Sequence, residues 1–132
     1  LALAPRLARK ICPDCKVPAS IPENVVAQLR EELKAVPPLY APPGMSENTP
    51  LTFYRGQGCP KCGTTGYKGR VAMVEMLQGT ANMGRLIAMG FPNEEVRAEL
   101  KAQGMISIKQ DALLKALNGL TTVEEVLRIS KE

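Results

Sequence analysis

An α+β fold, mostly helical, is what this 132-residue sequence predicts, and three observations carry the prediction. All four cysteines fall in two Cys-x-x-Cys pairs, Cys12-Pro13-Asp14-Cys15 and Cys59-Pro60-Lys61-Cys62. Two stretches of strand character, Leu51-Thr52-Phe53-Tyr54 and residues 70–77, flank the second pair. From Ala81 onward, apolar residues recur at helical spacing between caps and breakers. The expected organisation is a tetracysteine zinc-stabilised module over residues 1–78 with a small β-hairpin, followed by a C-terminal helical bundle over 79–132.

Taken in order, residues 2–10 read as the tail of an amphipathic helix, with Leu3, Leu7 and Ile11 beside Ala4 and Ala8. A chain that opens on Leu inside such a pattern reads as part of a longer protein. Ser20 as cap, then Pro22 and Glu23, predict a helix over about 22–35 with Val25, Val26, Leu29 and Leu33 inward. The five prolines of residues 36–50 exclude regular helix or inner strand and predict an extended connection.

The strand-like segments 51–54 and 70–77 predict an antiparallel hairpin with the second cysteine pair and the turn Gly63-Thr64-Thr65-Gly66-Tyr67-Lys68-Gly69 at its tip. Four helices follow, over 81–89, 93–103, 107–118 and 121–130. Asn93 should cap the second, and Thr121 and Thr122 with Glu124 and Glu125 should form capping boxes for the fourth. Leu86, Ile87, Leu113, Val123, Val126 and Leu127 are among the inward residues, the methionines fill the core, and Asp111 with Lys115 makes a solvated i,i+4 pair.

The chemistry lies in the cysteines. A Cys-x-x-Cys turn lets one short piece of backbone aim two sulfurs at one ion, and two such turns complete a tetrahedral shell. Cys12, Cys15, Cys59 and Cys62 are therefore the expected ligands of one Zn2+, and no histidine competes. Four protein ligands leave no open position, which assigns the metal to structure and not to catalysis. Gly63 should allow the knuckle to aim N–H groups at sulfur, and Lys10, Lys16, Lys61, Lys68 and Arg70 should offset the thiolate charge. Two disulfides or a thioredoxin-like pair are the competing readings, and neither has its sequence context here.

The formal charge of +4 flanks the cysteines: residues 1–20 and 51–75 each sum to +3. That excess is small for a nucleic-acid binder, and two Phe, three Tyr and no Trp leave little for base stacking. A zinc-ribbon module binding nucleic acid is the alternative reading, supported by the basic flanks alone. No run approaches the length of a membrane span, which predicts a soluble chain without a transmembrane segment. No Gly-x-x-x-x-Gly-Lys-Ser/Thr sequence occurs, so no phosphate loop is expected in these residues.

In this order the motifs resemble the C-terminal end of the type II secretion and type IV pilus assembly ATPase family. Arg6-Leu7-Ala8-Arg9-Lys10-Ile11-Cys12-Pro13-Asp14-Cys15 is similar to that family's first knuckle, and Cys59-Pro60-Lys61-Cys62-Gly63 with Gly66-Tyr67, Gly69-Arg70 and Glu75 to its second. The tail matches through Gly104-Met105, Asp111, Lys115, Gly119, Thr121-Thr122 and Glu124-Glu125-Val126. Pro5, Ala112 and the long Pro-rich stretch depart from the pattern.

The resemblance implies a hexameric motor whose ATP and Mg2+ sites lie upstream of these residues. It further implies contact with the rest of the ATPase chain, with neighbouring subunits of a homo-hexamer and with an inner-membrane platform protein. The expected location is cytoplasmic, peripheral to the inner membrane through those partners, with no nucleic acid bound.

Overall fold

The computed structural model describes residues 2–42 and 49–131; residues 43–48 of the Pro-rich connection lie outside the described residues. The fold is α+β, with two two-stranded antiparallel sheets and five α-helices among the described residues. Strand β1 (Ala2–Ile11) pairs with β4 (Tyr67–Leu77), and β2 (Lys16–Ala19) pairs with β3 (Phe53–Gly56). The helices are α1 (Glu23–Lys34), α2 (Ala81–Ala88), α3 (Asn93–Ala102), α4 (Ile108–Leu117) and α5 (Val123–Ser130).

Residues 2–10 are thus strand, not the helix their spacing suggests. Small and apolar residues there satisfy a two-residue period as well as a helical one, and a long partner decides between them. Ala8 pairs with Val71 and Arg6 with Met73, and Ala8 and Met73 are fully buried. Pro5 was the available signal, because proline is excluded from a helix interior but tolerated where a strand needs no donor.

The expected hairpin between 51–54 and 70–77 is also replaced. Strands of ten and eleven residues pair with each other, and the two four-residue strands do likewise. The segment between β3 and β4 crosses from one sheet to the other instead of reversing within one. The crossing is very close: a Cβ built on Gly56 would lie 1.9 Å from the Gly66 carbonyl oxygen, and one on Gly66 would lie 2.5 Å from that of Gly56. Only two glycines fit there, and Gly66 has a φ of 82° besides.

One apolar core joins both sheets to α1, α4 and α5. Ala8, Leu29, Phe53, Met73, Leu113 and Val126 belong to it, so its members come from both sides of residue 78. Val25, Val26 and Leu33 pack against it from α1, as their spacing requires. On α2, Met83 and Leu86 are buried one turn apart, which turns Ile87 outward to 50% exposure against expectation. Met76 and Met89 are likewise exposed, and Met73 and Met83 are the buried methionines among the described residues.

The capping differs from expectation in three places. Helix α1 follows Pro22 and α3 follows Pro92, each without a side-chain cap, so Ser20 and Asn93 do not cap. Thr122 caps α5 by accepting from the Glu125 N–H at 3.2 Å. Glu125 does not complete the box: its carboxylate turns to Arg9 and Arg128, where charge-assisted bonds exceed one bond to a cap N–H.

Both outer edges of the long sheet are closed by side chains. On β4, Asp111 accepts from the Val74 N–H at 2.8 Å, and Lys115 donates to the Ala72 carbonyl at 2.6 Å. The pair expected to be solvated is therefore a half-buried clamp of α4 on the strand. On β1, Glu125 accepts from the Arg9 N–H, Thr121 donates to the Arg9 carbonyl and Arg128 donates to the Leu7 carbonyl. Such edges need cover, because unpaired strand groups otherwise recruit another chain.

Candidate metal centre

The four cysteines, with 43 residues between Cys15 and Cys59, meet at the end of the long sheet. Strand β1 delivers the first pair: the Ile11 N–H donates to the Leu120 carbonyl at 2.9 Å and the Cys12 N–H to the Gly66 carbonyl at 3.0 Å. The second pair sits on a 3₁₀ turn, Pro60–Cys62, ended by Gly63 with a φ of 63°. The Gln57 N–H donates to the Cys15 carbonyl at 2.9 Å, which fastens the approach of the second pair to the end of the first.

All four Sγ atoms lie within 4.8 Å of one another. Cys12 and Cys59 are 3.8 Å apart, Cys15 and Cys62 3.9 Å, and Cys59 and Cys62 3.7 Å. Four thiolates about 2.3 Å from one ion would have tetrahedral edges of about 3.8 Å, which these separations match. The cysteines are free, so the disulfide alternative has no pair here. The cluster could hold a metal ion, and each predicted ligand is in it.

Backbone amides surround the sulfurs. Gly58 N–H donates to Cys15 at 3.3 Å, while Cys59 and Gly66 N–H groups donate to Cys62 at 3.3 and 3.2 Å. Burial pushes the Cys62 thiol up, but the donors from Cys59 and Gly66 outweigh it and bring it down to about 6. At Cys15 burial prevails over the single Gly58 donor, and the thiol stands at about 11.

Two of the cations expected to offset thiolate charge also have other contacts: Lys61 meets Asp14 across the two knuckles at 3.4 Å, and Lys16 lies 5.4 Å from the centre of the Tyr54 ring. Amide dipoles directed at the sulfurs add positive potential beside the thiolates. Gly63 supplies the expected left-handed turn, and the donors aimed at sulfur are Gly58, Cys59 and Gly66 on either side of it.

A polar network that the sequence reading missed lies behind the cysteines. The Arg9 guanidinium donates to Glu125 at 2.9 Å and sits 4.1 Å from the centre of the Tyr67 ring. Tyr67 in turn shares a 2.9 Å hydrogen bond with Thr122. Glu125 is fully buried and also receives Arg128 at 2.8 Å. Burial pushes its carboxyl up, and hydrogen bonds from Arg128 and Arg9 overcome that and hold it at about 2.

Among the described residues, no helix is long and apolar enough to cross a membrane. Comparison with known proteins shows the family. Residues 1–128 match the model of the family described as Type II/IV secretion system protein. The Type IV pilus assembly ATPase PilB of Thermus thermophilus is 36% identical over 127 residues, covering 95% of this chain and 13% of that protein. The protein of the same name from Myxococcus xanthus is 37% identical over 127 residues, covering 96% and 20%.

The Type II secretion system protein E of Pseudomonas aeruginosa is 35% identical over 130 residues, covering 98% and 23%. The chain therefore spans less than a quarter of the length of these relatives. Nothing in these matches supports the nucleic-acid alternative. With the family model matched from the first residue to residue 128 and the paired cysteines gathered at one point, this chain belongs to the type II/IV secretion system protein family.

Proposed function

We propose that Cys12, Cys15, Cys59 and Cys62 hold one Zn2+ as a closed structural site in the C-terminal region of a hexameric ATPase motor for type IV pilus assembly or type II secretion. The single observation that carries the metal reading is the matched set of sulfur separations, with backbone N–H groups directed at the sulfurs. Thiolate ligands select zinc among common structural ions, and a four-sulfur tetrahedron leaves no place for substrate. Bound there, the metal supplies a cross-link between two distant pieces of chain and no reaction chemistry.

In this reading residues 1–78 form the metal-binding module and 79–132 the helical region, the two sharing one core. ATP and Mg2+ belong to parts of the motor upstream. Partners are the rest of the chain, neighbouring subunits and an inner-membrane platform protein, which would place the motor in the cytoplasm against the inner membrane.

The test is made in an intact motor. Cys→Ser changes at the four positions should lower assembly and extrusion output, while ATP turnover per correctly assembled hexamer is retained. A variant that assembles normally and loses all turnover would overturn the structural assignment. So would ATP hydrolysis by the isolated 132-residue chain, which has no phosphate loop.

A further inference from the structure

The start of α5 touches both long strands where they meet the cysteine-bearing turns, β1 just before Cys12 and β4 just after the second pair. Glu125 holds Arg9 through three hydrogen bonds: the backbone N–H at 2.7 Å, Nε at 3.2 Å and an Nη at 2.9 Å. Arg9 stands three residues before Cys12, and Thr121 takes the Arg9 carbonyl at 2.8 Å. Thr122 holds Tyr67, which follows Gly66, the residue that donates to Cys62 and accepts from Cys12. Arg9 and Tyr67 also stack on one another. Neither strand end can shift without disturbing the same turn of helix.

We infer that Glu125 is a positioning residue for the metal centre: through Arg9 and Tyr67 it fixes the two strand ends that present Cys12 and Cys62. The inference rests on the proposed metal site. A carboxylate is suited to this place because it alone accepts from a backbone N–H and from two guanidinium groups at once. The coupling is reciprocal, as any linkage between two binding equilibria must be. Bound metal steadies the first turn of α5, and loss of metal frees it.

The experiment compares transfer of zinc to a coloured chelator from the full 132-residue chain and from three variants. Glu125→Gln keeps the shape and loses the charge, and Tyr67→Phe breaks the bond to Thr122. Glu99→Gln is the control: Glu99 gathers Thr80, Asn82 and Gln103 between α2 and α3, a polar network of similar size away from the cysteines. Glu125→Gln should release zinc up to about tenfold faster, no more than the lower end of the effect for a direct partner of a metal ligand, because it acts through Arg9. Tyr67→Phe should give a smaller rise, and Glu99→Gln none.

Hydrogen exchange of the wild-type chain, with and without chelator, should show residues 122–126 losing protection on metal removal while α3 keeps its own. Equal release from Glu125→Gln and wild type would overturn the inference and leave the metal reading standing. Equal acceleration by Glu99→Gln would also overturn it, by showing a general loss of stability. A wild-type chain that carries no metal would overturn the metal reading, and this inference with it.

Discussion

The Glu125 carboxylate accepts the backbone N–H of Arg9 at 2.7 Å, in the place where a neighbouring strand would put a carbonyl. Across the sheet, Asp111 does the same for Val74 at 2.8 Å. A two-stranded sheet is only marginally stable alone. Here two helices complete it from both edges with side chains, and so tie the cysteine-bearing end of the chain to the helical end.

Loss of the Glu125 charge should therefore cost stability in a pH-dependent way. Its carboxyl lies well below the ordinary range, so the stabilisation is complete above the unfolded value and is lost as pH falls toward about 2. Arg9 and Arg128 are 55% and 43% exposed, and solvent screening limits the effect to roughly 1–3 kcal/mol. Chelator-treated wild type and Glu125→Gln, unfolded by urea, should differ by that amount near neutral pH and converge in acid. A constant gap across the range would show that the charge is not the cause.

Asp111→Ala should destabilise by about 1–3 kcal/mol, because it strands the Val74 N–H and leaves Lys115 without its carboxylate. A denaturant midpoint within error of wild type would place this pair back in solvent.

Glycine substitutions should split sharply by position. Gly56→Ala drives a Cβ into the Gly66 carbonyl and should cost about 2–4 kcal/mol with loss of zinc retention, whichever backbone yields. Gly84→Ala, inside α2 with nothing within 4 Å of the new Cβ, should instead stabilise by about 0.5–1 kcal/mol. Paired thermal melts read both signs.

What the sequence made legible follows from how local each signal is. The cysteine pairs carry their chemistry in four residues each, so the four-cysteine cluster could be named before any fold. The four C-terminal helices were bounded to within about two residues by glycine stops and apolar spacing. Strand β1 was not, since its identity depends on a partner some sixty residues further along; Pro5 was the one local clue. The side-chain clamps were invisible for the same reason. Asp111–Lys115 and Glu124–Glu125 look in sequence like ordinary helix pairs and caps, and only the strand edges beside them turn Asp111, Lys115 and Glu125 into cross-links.

Removal of metal should loosen the knuckles more than the shared core. Amides of residues 12–18 and 56–67 should exchange faster after chelation, while those around Leu113, Ala116 and Met73 keep most of their protection because apolar burial holds them. Collapse of protection throughout the chain would show that the core cannot stand without the metal.

The central claim is most directly tested by metal analysis of the native chain together with X-ray absorption at the zinc edge. The account predicts one zinc per chain in a shell of four sulfurs at about 2.3 Å. A shell containing nitrogen or oxygen, a disulfide among Cys12, Cys15, Cys59 and Cys62, or protein that purifies folded without metal would contradict it.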